Sequence, residues 1–182
     1  MSLILPINRT FEDIVNGLNT LLSLRLEETS ALHIEPYDSN GLTNTEIRKK
    51  LDEILEIHSL TPTRDTTTKR KNTTFAHYDS WLKNSRLRLI ITQQAYGVSK
   101  WYFGNSLASD RGTLTVEQDV FEKRRVERLS LKPGAILIHR ASPIGTNAPA
   151  LHQVARNGTT MQHTASCYAP KTSNMAPQRA LS

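Results

Sequence analysis

Lys100-Trp101-Tyr102-Phe103 sets a cation beside three consecutive rings, and Lys83, Arg86 and Arg88 follow Tyr78 and Trp81 closely. Cations beside accessible rings can hold phosphates while the rings stack on bases. Lys69-Arg70-Lys71 adds three consecutive cations in a polar stretch, and Arg124 and Arg128 stand one helical step of four apart in a charged segment that also holds Lys123 and Arg125. The sequence therefore nominates Lys69, Arg70, Lys71, Lys83, Arg86, Arg88, Lys100, Arg124, Arg125 and Arg128 as phosphate contacts. Trp81, Trp101 and Tyr102 are its stacking residues.

Residues that do covalent or metal chemistry are dispersed. His33, His58, His77, His139, His152 and His163 form no HExxH, no Cys/His zinc spacing and no spaced carboxylate cluster. His33-Ile34-Glu35 matches the first half of a zinc-deaminase signature, but the Pro-Cys-x-x-Cys that completes it is absent. There is no phosphate-binding glycine loop, no GxSxG and no dinucleotide fingerprint. Cys167, the single cysteine, excludes an internal disulfide, and it lies with His163 in a stretch expected to lack structure. On this basis the chain is expected to be no enzyme, with no catalytic residue, no metal and no cofactor.

The positioning elements begin with two amphipathic helices. Phe11, Ile14, Val15, Leu18, Leu21, Leu22 and Leu26 recur in steps of three and four after the candidate cap Thr10. Thr43-Asn44-Thr45-Glu46 forms a capping box, with Leu42 and Ile47 as a hydrophobic staple, and Ile47, Leu51, Ile54, Leu55 and His58 continue the stripe to Pro62. Turn formers over 35–41 predict that the pair folds back as a hairpin. Its apolar faces need a third surface, either the rest of the chain or a second copy. Phe11, Ile14, Val15, Leu18, Leu22, Ile47, Leu51, Ile54 and Leu55 are the candidate oligomerisation face.

Beyond Pro62, residues 63–74 read as a linker or exposed loop, and Phe75, Tyr78 and Leu82 as a short helix. Residues 86–103 are ambiguous between helix and strand, and Gly97-Val98-Ser99 suits either a helix-turn-helix or a strand turn. Thr115-Val116-Glu117-Gln118 resembles a second capping box, opening a helix through Leu129. Lys132-Pro133-Gly134 is a turn before the buried-strand candidate Ala135-Ile136-Leu137-Ile138-His139. After Ser142 no apolar period persists.

Charge follows the same three parts within 182 residues of net charge +6. Residues 1–60 carry five basic against ten acidic side chains, 61–140 carry fifteen against seven, and 141–182 carry three basic and none acidic. Mean hydropathy is −0.45 and the apolar share is 37%, so a folded part joined to a loose part is expected. The fold expected is α+β: an acidic helical hairpin (1–62), a basic mixed body (63–141) and a disordered basic tail (142–182). The function expected is an oligomeric nucleic-acid-binding protein, RNA before DNA, in the style of a viral accessory or packaging protein. The other reading is an assembly or adaptor protein that takes a partner on the hairpin. With no apolar run of membrane-spanning length and no leader pattern, the location expected is intracellular, cytoplasmic or nuclear.

Overall fold

The structure, a computed structural model, describes residues 3–6, 11–35, 44–70, 72–82, 85–155 and 160–171. In chain order the elements are β1 (Leu3–Pro6), α1 (Phe11–Ser23), β2 (Ala31–Glu35), α2 (Asn44–Ile57), β3 (Leu60–Arg70), β4 (Ala76–His77), β5 (Leu89–Tyr96) and β6 (Ser99–Gly104). They continue with β7 (Thr115–Val116), α3 (Gln118–Arg124), β8 (Arg125–Leu131), β9 (Ile136–Arg140), β10 (Leu151–Ala155) and β11 (Met161–Pro170).

The strands make two facing sheets, one ordered β1-β2-β9-β5-β11-β3 and the other β7-β4-β10-β6-β8. β3 pairs with β11, β4 with β10, β5 with β9 and β6 with β8, all antiparallel. Taken in chain order, the first four of these strands therefore run against the last four in reverse, as one long ribbon folded at β6–β8 and rolled into two sheets. That is the double-sheet jelly roll. β1 and β2 extend one sheet and β7 the other.

Alternation along each strand sorts side chains into layers. Leu32, Ile34, Ile136, Ile138, Leu89, Ile91 and Tyr168 face outward and are covered by Ile14, Leu18 and Leu21 of α1 and Ile47, Leu51, Ile54 and Leu55 of α2. Trp101, Phe103, Leu129, Leu131, Ala135, Leu137 and Val154 fill the space between the sheets. Ala76, Tyr78, Trp81, Phe121 and Leu151 form a third cluster under α3.

Several expectations are corrected here. The helices form where the periodicity puts them, but β2 runs between them and both pack on a sheet, so there is no helical hairpin. The described members of the candidate oligomerisation face, Ile14, Val15, Leu18, Leu22, Ile47, Leu51, Ile54 and Leu55, are spent on this core; the side chains of Phe11 and Asn44, the cap Thr10 and Thr43 of the first capping box lie outside the described residues. The expected linker is the eleven-residue strand β3, rich in β-branched threonine. The expected helix at Phe75 is β4 and a loop, and the helix from Gln118 ends at Arg124, where the chain continues as β8. The Glu117 cap makes no side-chain hydrogen bond. The expected disordered tail holds β10 and β11, inside the two sheets. Its polar residues concealed these strands, although all five positions of β10 and most of the second half of β11 are buried. Among the described residues no helix is long and apolar enough to cross a membrane.

Candidate metal centre

Five of the six histidines belong to strands, and alternation turns His33, His77, His139, His152 and His163 toward the space between the sheets. His77 ends β4, two residues before Asp79, and its register partner on β10 is His152. One ligand atom from each of His77, Asp79 and His152 lies within 4.8 Å of the other two. His77 Nε2 is 3.3 Å from Asp79 Oδ1, and His152 Nε2 is 3.6 Å from Asp79 Oδ2.

Both rings are held from behind by the backbone. His77 Nδ1 lies 2.7 Å from the Phe75 carbonyl and His152 Nδ1 lies 3.0 Å from the Ala150 carbonyl. A carbonyl only accepts, so each ring carries a proton on Nδ1, and a neutral His152 turns its Nε2 lone pair toward the carboxylate. A lone pair facing a carboxylate repels it unless a cation sits between them. This is also how metal-binding imidazoles are oriented, with the remote nitrogen tied to a backbone carbonyl. Burial pushes the His152 pKa down to about 3, so this ring stays neutral. Burial pushes Asp79 up, but His152, His139 and His77 around it outweigh that and hold its carboxyl well below the usual range. A neutral His152 and an ionised Asp79 are in the states a divalent transition metal requires.

The surroundings are asymmetric. On the closed side, the Trp101 ring stacks on His152 at 5.4 Å, and His139, from the opposite sheet, stands 4.7 Å from it. Trp101 Nε1 donates to Ser99 Oγ, which donates to Gln94, fixing this wall. On the open side, His77 and Asp79 retain 26% and 21% side-chain exposure. His77 borders a cleft of about 420 Å³ with Asn72, Thr73, Thr74, Phe75, Tyr78, Leu114 and Thr115. A second cleft of about 480 Å³ lies along Trp81, Leu82, Arg111, Gly112, Pro143 and Gly145.

Tyr78, between the two ligands in sequence, points the other way. Its hydroxyl donates to Asp110 at 2.5 Å, Arg124 donates to the same carboxylate oxygen, and its ring packs edge-on against Trp81. Burial, then Asp110, pushes the Tyr78 hydroxyl pKa upward, so it remains a donor.

The residues nominated for nucleic acid are placed otherwise than expected. Trp81 and Trp101 are 2% and 3% exposed, so neither ring has a free face for a base. Tyr102 is half-buried, with the Arg125 guanidinium 4.6 Å above its ring. Lys100, Tyr102, Arg125 and Arg128 share the β6–β8 part of one sheet, whereas Lys69 lies on β3 at the edge of the other, near Tyr96. Arg124 is paired with Asp110, Arg88 donates to Ser85 and Ser142, and Arg86 is exposed. Lys71, Lys83 and the side chain of Arg70 fall outside the described residues. With its stacking rings in the core and its cations divided between sheets, the nucleic-acid reading is withdrawn. The adaptor reading falls with the hairpin. The expectation of no enzyme rested on undirected histidines, and here histidines converge. Sequence reasoning missed His77, Asp79 and His152; their signal is a His-x-Asp pair, which a strand carries on one face, with a far histidine brought back by β10.

No protein-family model matches the chain. No curated protein matches it either. Among solved structures it is similar to dTDP-4-dehydrorhamnose 3,5-epimerase from Bacillus anthracis str. Ames, at 13% identity and a TM-score of 0.37, over 68% of this chain and 62% of that one. It is similar to a Pseudomonas putida prolyl-4-hydroxylase at 11% identity and a TM-score of 0.43, over 88% of each chain. It is similar to E. coli ycfD at 14% identity and a TM-score of 0.42, over 91% of this chain and 47% of that one. These scores carry no argument about activity, and the site rests on its own geometry.

Proposed function

We propose that the chain is a metal-dependent enzyme of the non-haem Fe(II) oxygenase class, with His77, Asp79 and His152 as the metal's protein ligands. The observation that carries this reading is the convergence of one ligand atom each from His77, Asp79 and His152 within 4.8 Å, with both rings held at Nδ1 by backbone carbonyls. Two histidines and one carboxylate with open positions are the ligand set of that class. Bound there, Fe(II) supplies the redox chemistry that activates dioxygen. The chain's own part is to hold three ligands at a wall that excludes water, through Trp101 and His139, and to leave the His77–Asp79 side open to substrate. A metal-free acid–base pair of His139 and Asp79, 2.6 Å apart, is the second reading; the ring of His139 is 1% exposed and out of a substrate's reach.

The test is anaerobic titration of the metal-stripped protein with Fe(II), Co(II) and Zn(II), followed by oxygen uptake. One equivalent of metal bound in wild type and lost in Asp79→Ala and His77→Ala is expected, with oxygen uptake supported by Fe(II) alone. Absence of stoichiometric binding removes the metal reading. Binding with hydrolytic activity on Zn(II) and no oxygen uptake on Fe(II) removes the oxygenase reading.

A further inference from the structure

The cleft of about 480 Å³ along Trp81 and Arg111 is built from residues other than His77, Asp79 and His152. Three chain segments form it, and contacts of their own fix each one. Trp81, just after Asp79, packs its ring edge-on against Tyr78 with 4.6 Å between centroids. Arg111 and Gly112 follow the turn Ala108–Asp110, where the amides of Arg111 and Thr113 donate to the carbonyls of Ala108 and Asp110. Pro143 and Gly145 flank Ile144, whose amide and carbonyl both bond Asn147. The cleft is therefore preformed, and its volume is that of a small-molecule site.

Its lining has two characters. Trp81, Leu82 and Pro143 supply apolar surface, and Leu82 keeps 56% exposure there. Arg111 brings a guanidinium to the same cleft. The neighbouring Asp110 does not neutralise it, because that carboxylate accepts from Tyr78 and Arg124, and Arg111 has no ion pair among the described residues. The indole N–H of Trp81, a side chain only 2% exposed, likewise has no hydrogen-bond partner among the described residues, whereas Trp101 spends its own on Ser99. A free cation and an unspent donor beside apolar surface complement a molecule that is apolar at one end and anionic at the other. We propose that this cleft binds a small organic carboxylate with a planar apolar body, the carboxylate on Arg111 and the body along Trp81, Leu82 and Pro143. The assignment is independent of the metal reading, since the cleft keeps its shape and charge whether or not a metal is bound.

The test uses the metal-free full chain, so that a carboxylate has no metal to bind, and two probes of one shape, 2-naphthoate and the uncharged 2-naphthamide. Calorimetric titration at low salt is expected to give a single site for each, with the naphthoate held about 3–10-fold more tightly, an advantage that shrinks as salt is raised. Arg111→Gln is expected to erase this preference and Arg111→Lys to keep part of it. Leu82→Ala is expected to weaken both probes alike, about threefold. Arg111 and Leu82 are both exposed, so these variants leave the core intact. The chain has two tryptophans, and their indole N–H resonances locate the probe: naphthoate is expected to shift Trp81 and to leave Trp101 in place. Naphthoate that fails to saturate, equal affinity for the two probes, a preference that survives Arg111→Gln, or a shift at Trp101 alone overturns the proposal. Each of those results leaves the metal centre untouched, which stands or falls on metal titration of His77→Ala and Asp79→Ala.

Discussion

Protonation at single residues gives the fold a directed response to acid. The folded-state pKa of His152 is lowered by burial from 6.5 to about 3, and that of His33 is lowered for the same leading reason. Between the two values for His152 the unfolded chain binds a proton that the folded chain refuses, so stability rises with pH across this window and is lost as pH falls below 6.5. Thermal melts of the metal-free protein at pH 8, 6 and 5 are expected to show a falling Tm; an equal Tm throughout contradicts the buried neutral histidines. His33 offers a separable share of this effect. Neither of its ring nitrogens has a hydrogen-bond partner among the described residues, and Glu35 stands 3.9 Å away. His33→Leu keeps the packing volume and removes the unsatisfied groups, which is expected to add about 1 kcal/mol, or about 2–4 °C in Tm, and to flatten the acid slope. A lower Tm at pH 8 would show that His33 is held by contacts stronger than its burial.

At the level of elements, the site depends on how short β4 is braced from behind. Tyr78 anchors the His-x-Asp segment to Asp110 in the turn Ala108–Asp110 and, through Asp110, to Arg124 of α3. Tyr78→Phe is expected to cost about 1 kcal/mol in urea unfolding and to weaken Co(II) binding several-fold, since the segment loses its outer tether. Full affinity at reduced stability would confine the brace to folding. The sequence made part of this legible. Periods of three and four located α1 and α2, and the run Ile136–His139 announced β9, because burial on one face writes itself into apolar spacing. β3, β4, β10 and β11 escaped notice for a physical reason: they interleave Thr, Gln, Arg and Ser with their apolar residues, and several inward ones are His, so no apolar alternation survives. The same cause hid the site. A metal ligand on an inward strand face looks in sequence like one more polar residue, and the separation of 75 residues from His77 to His152 is bridged only by pairing. Gly97-Val98 is the turn from β5 to β6, where Gly97 has φ of +73° and a Cβ would lie 2.7 Å from the Thr160 carbonyl. Those constraints, and not a DNA-binding helix pair, explain the glycine.

The rolled ribbon as a whole decides whether any part of the chain stands alone. Charge divides the sequence near residues 60 and 140, yet the hydrogen bonding ignores those divisions: β2 of the acidic front pairs with β9, and β11 of the polar end lies between β3 and β5. A fragment of residues 63–141 keeps the β5–β9, β6–β8 and β4–β7 pairs and loses an interior strand of each sheet, β11 from one and β10 from the other. β4 is then cut from β6, β3 has no partner, and the outward faces of β5 and β9 lose the cover of α1 and α2. Two-stranded remnants are marginal in water, and exposed strand edges invite aggregation. The fragment is therefore expected to show no cooperative thermal transition by circular dichroism, while the full chain melts in one step. The metal adds a complementary signature, because His77 and His152 join the two halves of the ribbon. A ligand at 100 times its Kd stabilises by about 2.7 kcal/mol, so saturating Co(II) is expected to raise the Tm of the full chain by roughly 5–10 °C and to leave the fragment, which lacks His152, unchanged. A fragment that folds alone would show that the basic middle is an independent domain and that the roll is not the cooperative unit.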